Sequence, residues 1–259
     1  STPLILILTS IAMGVSNGIS ILLSQAIGAG EKKKADQLIV TSLIASLIFS
    51  ISVTFLLELT LKPILLLLCT PLEVMPLAYR YLANYLLGYL SVFLYCYFTA
   101  VLRSFGNSFF QVIAMLICTL LNAVLDPLLI QFMGFNGAAV ATVLSQTLCL
   151  IFMLVYLHKK RLFCFRLSLF DRRLLFPVIA KGIPSAFQQS IPAISTSFLT
   201  SLVAGYSISA LAAYGIAGKL ETILFYPAMA LNMALTSIVG QCVGGQRPDR
   251  AKDYIKASL

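Results

Sequence analysis

Seven long apolar runs constrain the fold of this chain more than any other feature of its sequence. A helix that crosses a bilayer needs about 20 predominantly apolar residues. Only 10% of the 259 residues are charged, whereas a soluble domain carries about 25%. No alternation typical of membrane strands occurs, so the sequence predicts an all-α, polytopic membrane protein. The runs are Leu4–Ile27, Leu38–Leu61, Tyr79–Val101, Phe109–Ile130, Gly137–Leu157, Pro184–Ala204 and Ala210–Val239.

Basic residues are distributed unevenly among the connections that follow these runs. The odd-numbered connections hold 15 of the 18 lysines and arginines, whereas the even-numbered ones hold only Lys62 and Arg80. Because positively charged loops remain in the cytoplasm, we expect the odd connections to be cytoplasmic. Topology therefore explains the net charge of +9, and no nucleic-acid partner is expected. The expected location is the cytoplasmic membrane, as a multi-pass protein of a bacterial inner membrane embedded in the lipid bilayer.

Two stretches of the chain, Ser24–Leu43 and Gly240–Leu259, align without gaps at an offset of 216 residues. Six of their twenty positions are identical, and these include the pairs Gln25/Gln241 and Gly28/Gly244. Each copy ends an apolar helix, passes through glycines that suit a helix terminus, and starts another helix. Six runs separate the copies, so both copies point the same way. The repeat predicts two parallel six-helix halves, as in known transporters.

The repeat also gives expected domain boundaries. Residues 1–158 are expected to form an N-terminal lobe that lacks its first helix, residues 159–176 a cytoplasmic linker, and residues 177–259 the start of a C-terminal lobe. The chain begins without an initiator methionine. We therefore expect a fragment, with one helix before Ser1 and further helices after Leu259.

One carboxylate, Asp126, lies near the centre of an apolar run. Asn122 precedes it by four residues, so the two side chains share one face of a helix. Pro127 removes a backbone donor beside the carboxylate. An ionised Asp at the bilayer centre costs about 3 kcal/mol on insertion scales and faces a protein interior or a wet cavity. We interpret this group as an ion or proton site.

The sequence contains no pattern typical of an enzyme. Its six cysteines show no paired spacing, and its single histidine, His158, lies at the edge of a run. It has no glycine-rich phosphate loop and no nucleophile with a plausible base. We therefore predict no enzymatic activity, no metal site and no cofactor.

Several motifs together resemble the multidrug and toxic compound extrusion (MATE) family. They follow one another in the order of that family's helices 2 to 8. The motifs are Ser24–Gly30 at the end of helix 2, Asn122–Ile130 in helix 5, Gly137–Thr142 at the start of helix 6, Gly182–Pro184 at the entry to helix 7, and Ala212–Ile216 with Pro227, Gly240, Gln241 and Gly244 in helix 8. The resemblance implies a twelve-helix transporter with a central cavity between two lobes.

The resemblance also implies a function and a site. Members of the family are secondary active antiporters that export amphipathic or cationic drugs and toxic compounds, small molecules, in exchange for H⁺ or Na⁺. Their helix 5 Asn and Asp and a helix 6 Thr help to form a cation or proton site, and these residues correspond to Asn122, Asp126 and Thr142. One branch of the family uses a helix 7 Glu instead. The comparable segment here, Phe187–Pro192, has no acidic residue, which favours coupling in the N-terminal lobe. The transporter is expected to be a monomer.

Three further side chains, Gln188, Gln189 and Tyr89, are candidates for lining a cavity or substrate site. Polar residues in a span face partner helices or a cavity, although Tyr89 could equally be a packing residue. Two alternative functions stay open. One is a flippase of a related fold for lipid-linked saccharides, in which arginines often line the cavity; no arginine lies well inside a run here. The other is a seven-helix receptor, which the six-helix repeat opposes.

Overall fold

The structure is a computed structural model that describes residues 2–67, 75–134, 136–160, 166–205 and 207–258. The described residues form nine α-helices and two short 3₁₀ turns, with no β-strand among them, so the all-α prediction is confirmed. The helices are α1 (Thr2–Gly28), α2 (Lys32–Leu67), α3 (Met75–Leu87), α4 (Tyr89–Ser104), α5 (Ser108–Met133), α6 (Asn136–Lys160), α7 (Leu175–Ala204), α8 (Ile208–Gly244) and α9 (Pro248–Ala257).

The described helices include five that are long and apolar enough to cross a membrane, and six if the bent pair α3 and α4 counts as one span. The prediction of a multi-pass membrane protein is therefore confirmed. The sixth predicted run lies in α7, which has 30 residues but is not among these helices. Two adjacent glutamines, Gln188 and Gln189, and several hydroxyl side chains make α7 less apolar than the others.

The third predicted run, Tyr79–Val101, is divided at Gly88 into α3 and α4, which meet at an angle of 48°. A Cβ atom on Gly88 would overlap the side chain of Val143 on α6. Glycine therefore permits a close approach here that any larger residue would prevent. The bend corrects the prediction of a single continuous helix over this run.

Close packing divides the chain into two compact units. The first unit contains Ala35–Leu102 and Asn107–Phe176, and the second contains Thr2–Lys34, Arg103–Gly106 and Pro177–Leu259. These units describe local packing, whereas the expected lobes at residues 1–158 and 177–259 describe halves of a repeat, so the lobe boundaries stay a prediction. Residues 161–165 of the expected linker, 159–176, lie outside the described residues.

In the first compact unit, α5 and α6 form an antiparallel hairpin. Near its turn, a Cβ on Gly137 would overlap the carbonyl of Leu129, so the two backbones touch. Further along, the Cys149 thiol donates a hydrogen bond to the carbonyl of Ala114 at 2.9 Å. These two contacts define the register of α5 relative to α6, that is, which residues of the two helices lie opposite each other.

In the second compact unit, the two copies of the repeat have the same helix boundaries and the same turn. α1 ends at Gly28 and α2 begins at Lys32, while α8 ends at Gly244 and α9 begins at Pro248. In the first turn the amide of Glu31 donates to the carbonyl of Ala26 at 3.1 Å, and in the second the amide of Arg247 donates to Cys242 at 2.9 Å. Both are the six-residue bond of a Schellman helix terminus. The two turns of the predicted repeat are confirmed at the level of individual hydrogen bonds.

The four repeat residues also contact one another across α1 and α8. A Cβ on Gly28 would overlap the carbonyl oxygen of Gln241, and a Cβ on Gly244 would overlap the carbonyl oxygen of Gln25. The contact is reciprocal, as expected where two equivalent surfaces meet about a two-fold axis. The Gln241 amide further donates to the carbonyl of Ser104 at 2.7 Å. The glycines are therefore required because two helix backbones touch here.

Candidate ion-binding site

The candidate carboxylate lies inside α5, and one of its two oxygens has no hydrogen-bond donor among the described residues. Asp126 and Asn122 are both half-buried. Among the described residues, Asp126 Oδ1 and Asn122 Nδ2 are buried and have no hydrogen-bond partner. Leaving one buried polar group unsatisfied costs about 1–3 kcal/mol, and more when it is charged. Unsatisfied buried polar groups are typical of functional sites, because a ligand can supply the missing hydrogen-bond partner or charge.

The neighbouring residue Pro127 weakens the same part of α5. It lies within the helix and has no backbone N–H, so the carbonyl of Ala123 cannot receive the usual helical bond from position 127. The backbone next to Asp126 is therefore held less tightly than in a regular helix. A change in the charge of Asp126 would act on this weakened turn.

Thr142 lies on α6, at a level of the hairpin close to Asn122. Gly137 of α6 lies against Leu129 of α5. Because the two helices are antiparallel, the direction from Gly137 to Thr142 along α6 corresponds to the direction from Leu129 to Asn122 along α5. The Thr142 hydroxyl donates to the carbonyl of Ala138 at 3.0 Å. Its only proton is thus used within the helix, and the oxygen can only accept from, or coordinate, a further group.

Tyr81 on α3 is a residue near the site that the sequence interpretation missed. Its half-buried phenol lies within electrostatic range of the Asp126 carboxylate. Tyr81, Tyr85 and Tyr89 recur at four-residue spacing, and Tyr81 and Tyr85 share one face of α3, whereas Tyr89 lies beyond the bend at Gly88. That spacing was the available signal, but spacing alone does not say which helix the face contacts.

The three candidates for cavity lining lie in different parts of the chain. Tyr89 is fully buried in the first compact unit, and its ring packs edge-on against Phe93 with centroids 6.1 Å apart. On α7, in the second compact unit, Gln188 is exposed and Gln189 is half-buried. A role in substrate binding stays a prediction for all three.

The groups around Asp126 set the kind of ligand that the site suits. No group of three or more His, Cys, Asp or Glu side chains that could hold a metal ion occurs in the part of the chain that the structure describes. A single carboxylate with neutral oxygens carries one negative charge. Divalent cations prefer more carboxylates, so the composition of the site suits a proton or a monovalent cation.

Comparisons with known proteins identify relatives over the whole chain. The chain is 27% identical to the probable multidrug resistance protein YoeA of Bacillus subtilis (strain 168), over 99% of this chain and 58% of that protein. It is 28% identical to a FAD transporter of Shewanella oneidensis, over 99% of this chain and 59% of that protein. The chain thus spans less than two thirds of the length of these relatives.

The fold is also similar to that of solved transporters. A crystal structure of MATE in complex with MaL6 superposes with a TM-score of 0.92 at 26% identity, covering 99% of this chain and 59% of that one. The MatE family model matches residues 1–128 and 184–259, which together make up most of the chain. The chain therefore belongs to the MatE family, the multidrug and toxic compound extrusion transporters.

Proposed function

We propose that this chain is part of a secondary active antiporter that exports amphipathic or cationic small molecules in exchange for H⁺ or Na⁺. The observation that carries the proposal is the buried Asp126 Oδ1 on an apolar helix, without a hydrogen-bond donor among the described residues. The similarity to a probable multidrug resistance protein supports the substrate class. A bacterial inner membrane is the proposed location.

The proposed mechanism uses Asp126 as a switch between two states. In the free state the carboxylate is ionised and requires polar surroundings, since a bare charge in an apolar interior is costly. Binding of H⁺ or Na⁺ removes this requirement and lets α5 repack at the turn weakened by Pro127. A ligand shifts a conformational equilibrium by its difference in affinity for the two states. Ion entry would thereby bias exposure of the substrate cavity.

The first prediction tests this role with Asp126→Asn in the full-length protein. The amide has nearly the same shape but carries no charge and binds neither H⁺ nor Na⁺ as a carboxylate does. We expect folding to be preserved and gradient-driven efflux to be lost. The measurement is efflux of a fluorescent cation from proteoliposomes with an imposed proton or sodium gradient, together with thermal melting.

The matched control for this variant is Asp171→Asn, at an exposed turn whose carboxylate accepts from the Arg173 amide at 2.9 Å. This control should keep gradient-driven efflux, because its carboxylate caps a short turn outside the apolar helices. Full gradient-driven efflux by Asp126→Asn would rule out Asp126 as the coupling group.

A second candidate substrate comes from the relative named as a FAD transporter, which aligns over 99% of this chain. FAD is a large anion, whereas the first proposal is for cationic compounds. Efflux of FAD and of a fluorescent cation should therefore be measured on the same proteoliposomes. Transport of FAD alone would replace the cationic substrate class and leave the role of Asp126 to be judged separately.

A further inference from the structure

A cavity lies between the last turns of α2 and the first turns of α3, within the first compact unit. It has a volume of about 310 Å³ and is lined by Lys62, Met75, Pro76, Tyr79 and Arg80. Lys62 and Arg80 are the only basic residues of the even-numbered connections, which are predicted to lie on the outer side of the membrane. The two cations that depart from the general distribution of charge therefore share one cavity, and the proposed antiport uses neither of them.

The length of α2 places this cavity at the level of the lipid headgroups. The apolar span of α2, Lys32–Pro63, has 32 residues, which corresponds to a length of about 48 Å. A bilayer has a hydrocarbon core of about 30 Å and measures about 40–45 Å with its headgroup regions. If Lys32 lies at one membrane surface, Lys62 therefore lies at the other. Tyr79 is consistent with this level, because tyrosine is enriched at the interface between membrane and water.

The two cations of the cavity are exposed and are not neutralised by a described residue. Lys62 Nζ lies 5.9 Å from the centroid of the Tyr79 ring, a distance at which the ring face attracts a cation. Neither Lys62 nor Arg80 forms an ion pair within the part of the chain that the structure describes, although Glu58 lies one turn before Lys62 on α2. Two like charges at one cavity repel each other, and an anion bound between them would replace this repulsion by attraction.

An apolar surface continues from the cavity along α2 toward the centre of the span. Phe55 and Leu59 are each 66% exposed, and their spacing places them on the same face of the helix as Lys62. Leu61, by contrast, is fully buried, so a different face of α2 packs into the protein. The face that carries Phe55, Leu59 and Lys62 is thus available to lipid, with its charged end at the cavity.

The combination of charge and apolar surface indicates the class of ligand. Lysine and arginine both bind phosphate, and the guanidinium of arginine does so through two parallel N–H donors. Met75 and Pro76 give the same cavity a carbon-rich wall, which a soluble inorganic anion would not use. An anionic phospholipid combines a phosphate diester with acyl chains, and it would therefore use both the cations and the apolar surface of α2.

We propose that this cavity is a binding site for an anionic phospholipid, whose phosphate lies between Lys62 and Arg80 and whose acyl chains follow Leu59 and Phe55. The site is separate from the proposed coupling group Asp126 and does not depend on it. Every membrane protein contacts bilayer lipid, so the specific consequence is a preference. The cavity should favour an anionic headgroup over a zwitterionic one with the same acyl chains.

The test uses a tryptophan placed in the cavity as a local reporter, because the sequence contains none. Tyr79→Trp keeps an aromatic ring beside Lys62 and is made in a version of the full-length protein that has no other tryptophan. Brominated phosphatidylglycerol, mixed with phosphatidylcholine in reconstituted bilayers, quenches the fluorescence when it occupies the cavity. The dependence of quenching on lipid composition gives the binding constant of phosphatidylglycerol relative to phosphatidylcholine. We expect phosphatidylglycerol to be preferred, by roughly five-fold for each cation.

Three variants in this background separate the cavity from general effects of charge. Lys62→Gln combined with Arg80→Gln should reduce the preference to near one. Lys62→Arg combined with Arg80→Lys keeps both charges and should retain the preference. The matched control is Lys32→Gln combined with Lys33→Gln, which removes two exposed charges at the opposite end of α2. This control should leave the quenching of the tryptophan unchanged.

Two results would overturn the lipid site. One is equal binding of the two lipids before any cation is removed, or an unchanged preference after both are removed. The other is loss of the preference on addition of inorganic phosphate but not of sodium chloride at the same ionic strength, which would show a site for free phosphate. Melting temperatures check that the variants fold. If the double variant Lys62→Gln, Arg80→Gln does not fold, the single variants decide, each with an expected loss of roughly five-fold.

Discussion

The Asp126 carboxylate differs in its surroundings from the acidic side chains at the ends of helices. Glu31 forms an exposed ion pair with Lys34 at 2.9 Å, and exposed pairs of this kind contribute about 0–1 kcal/mol. Asp126 Oδ1 has neither a described hydrogen-bond partner nor exposure to solvent. A residue that only stabilised the fold would be expected to have a donor. The surroundings of Asp126 therefore favour a group that binds and releases a ligand.

The prediction at this scale concerns Thr142, whose hydroxyl donates to Ala138 at 3.0 Å. Thr142→Val keeps the branched shape but removes the oxygen, at a cost of about 1 kcal/mol, or roughly five-fold in ion affinity. Thr142→Ser keeps the oxygen and should retain coupling. The measurement is the ion concentration that gives half-maximal efflux in proteoliposomes. An effect of Thr142→Val as complete as that of Asp126→Asn would contradict a neutral, secondary ligand.

The residues of the site differ in how far sequence alone could identify them. Asp126 could be found because a charge in an apolar run is costly wherever it points, and Asn122 because it lies one turn away. Tyr81 carries no such cost, since an uncharged phenol is tolerated on many faces of a membrane helix. Its relevance depends on which helix it faces, and only the packing of α3 and α5 provides that information.

At the scale of elements, the helix boundaries follow the apolar runs except where one helix touches another. The repeat could be identified from the sequence because Gly28 and Gly244, which lie where α1 and α8 touch, are identical in the two copies. The residue with positive φ differs, since it is Gly30 in the first turn and Gln246 in the second. The bend at Gly88 could not be predicted from the sequence, because a lone glycine in a run is compatible with a straight helix. Glycine is needed there because the side chain of Val143, which is distant in sequence, lies against it.

The prediction at this scale concerns the contact of α1 with α8. Gly28→Ala and Gly244→Ala each insert a methyl group where the opposite backbone lies, and overpacking of this kind costs about 1–3 kcal/mol. Each variant of the full-length protein should melt at a lower temperature. Because both substitutions push the same two helices apart, the double variant should lose less than the sum of the two.

The matched control for these variants is Gly215→Ala on α8, where a Cβ would meet no atom within 4 Å. Alanine is favoured over glycine in a helix interior by about 0.5–1 kcal/mol, so the control should melt at the same or a slightly higher temperature. Equal destabilisation at Gly215 and Gly244 would show that helix propensity, rather than contact between α1 and α8, determines the effect.

At the scale of the whole molecule, exposed apolar side chains and loop charges together define a membrane orientation. Large side chains such as Phe109 and Phe132 are 79% and 82% exposed within the described chain, which a lipid environment tolerates and water does not. Composition was enough to predict a multi-pass protein, because only 10% of the residues are charged, whereas a typical soluble domain has about 25%. Composition does not identify the substrate, since binding depends on side-chain positions in the complete transporter.

The last prediction concerns the direction in which the chain is inserted. Single cysteines should be placed in a version of the full-length protein that lacks its native cysteines, at Ser207 and Gln131 for the outer side and at Lys33 and Arg172 for the inner side; all four positions are exposed. In intact cells, a membrane-impermeant maleimide should label Ser207→Cys and Gln131→Cys only. Lys33→Cys and Arg172→Cys should react after the membrane is permeabilised, because positively charged loops remain in the cytoplasm. Labelling of the last two in intact cells would invert the orientation, and the proposed site would then have to drive transport in the opposite direction.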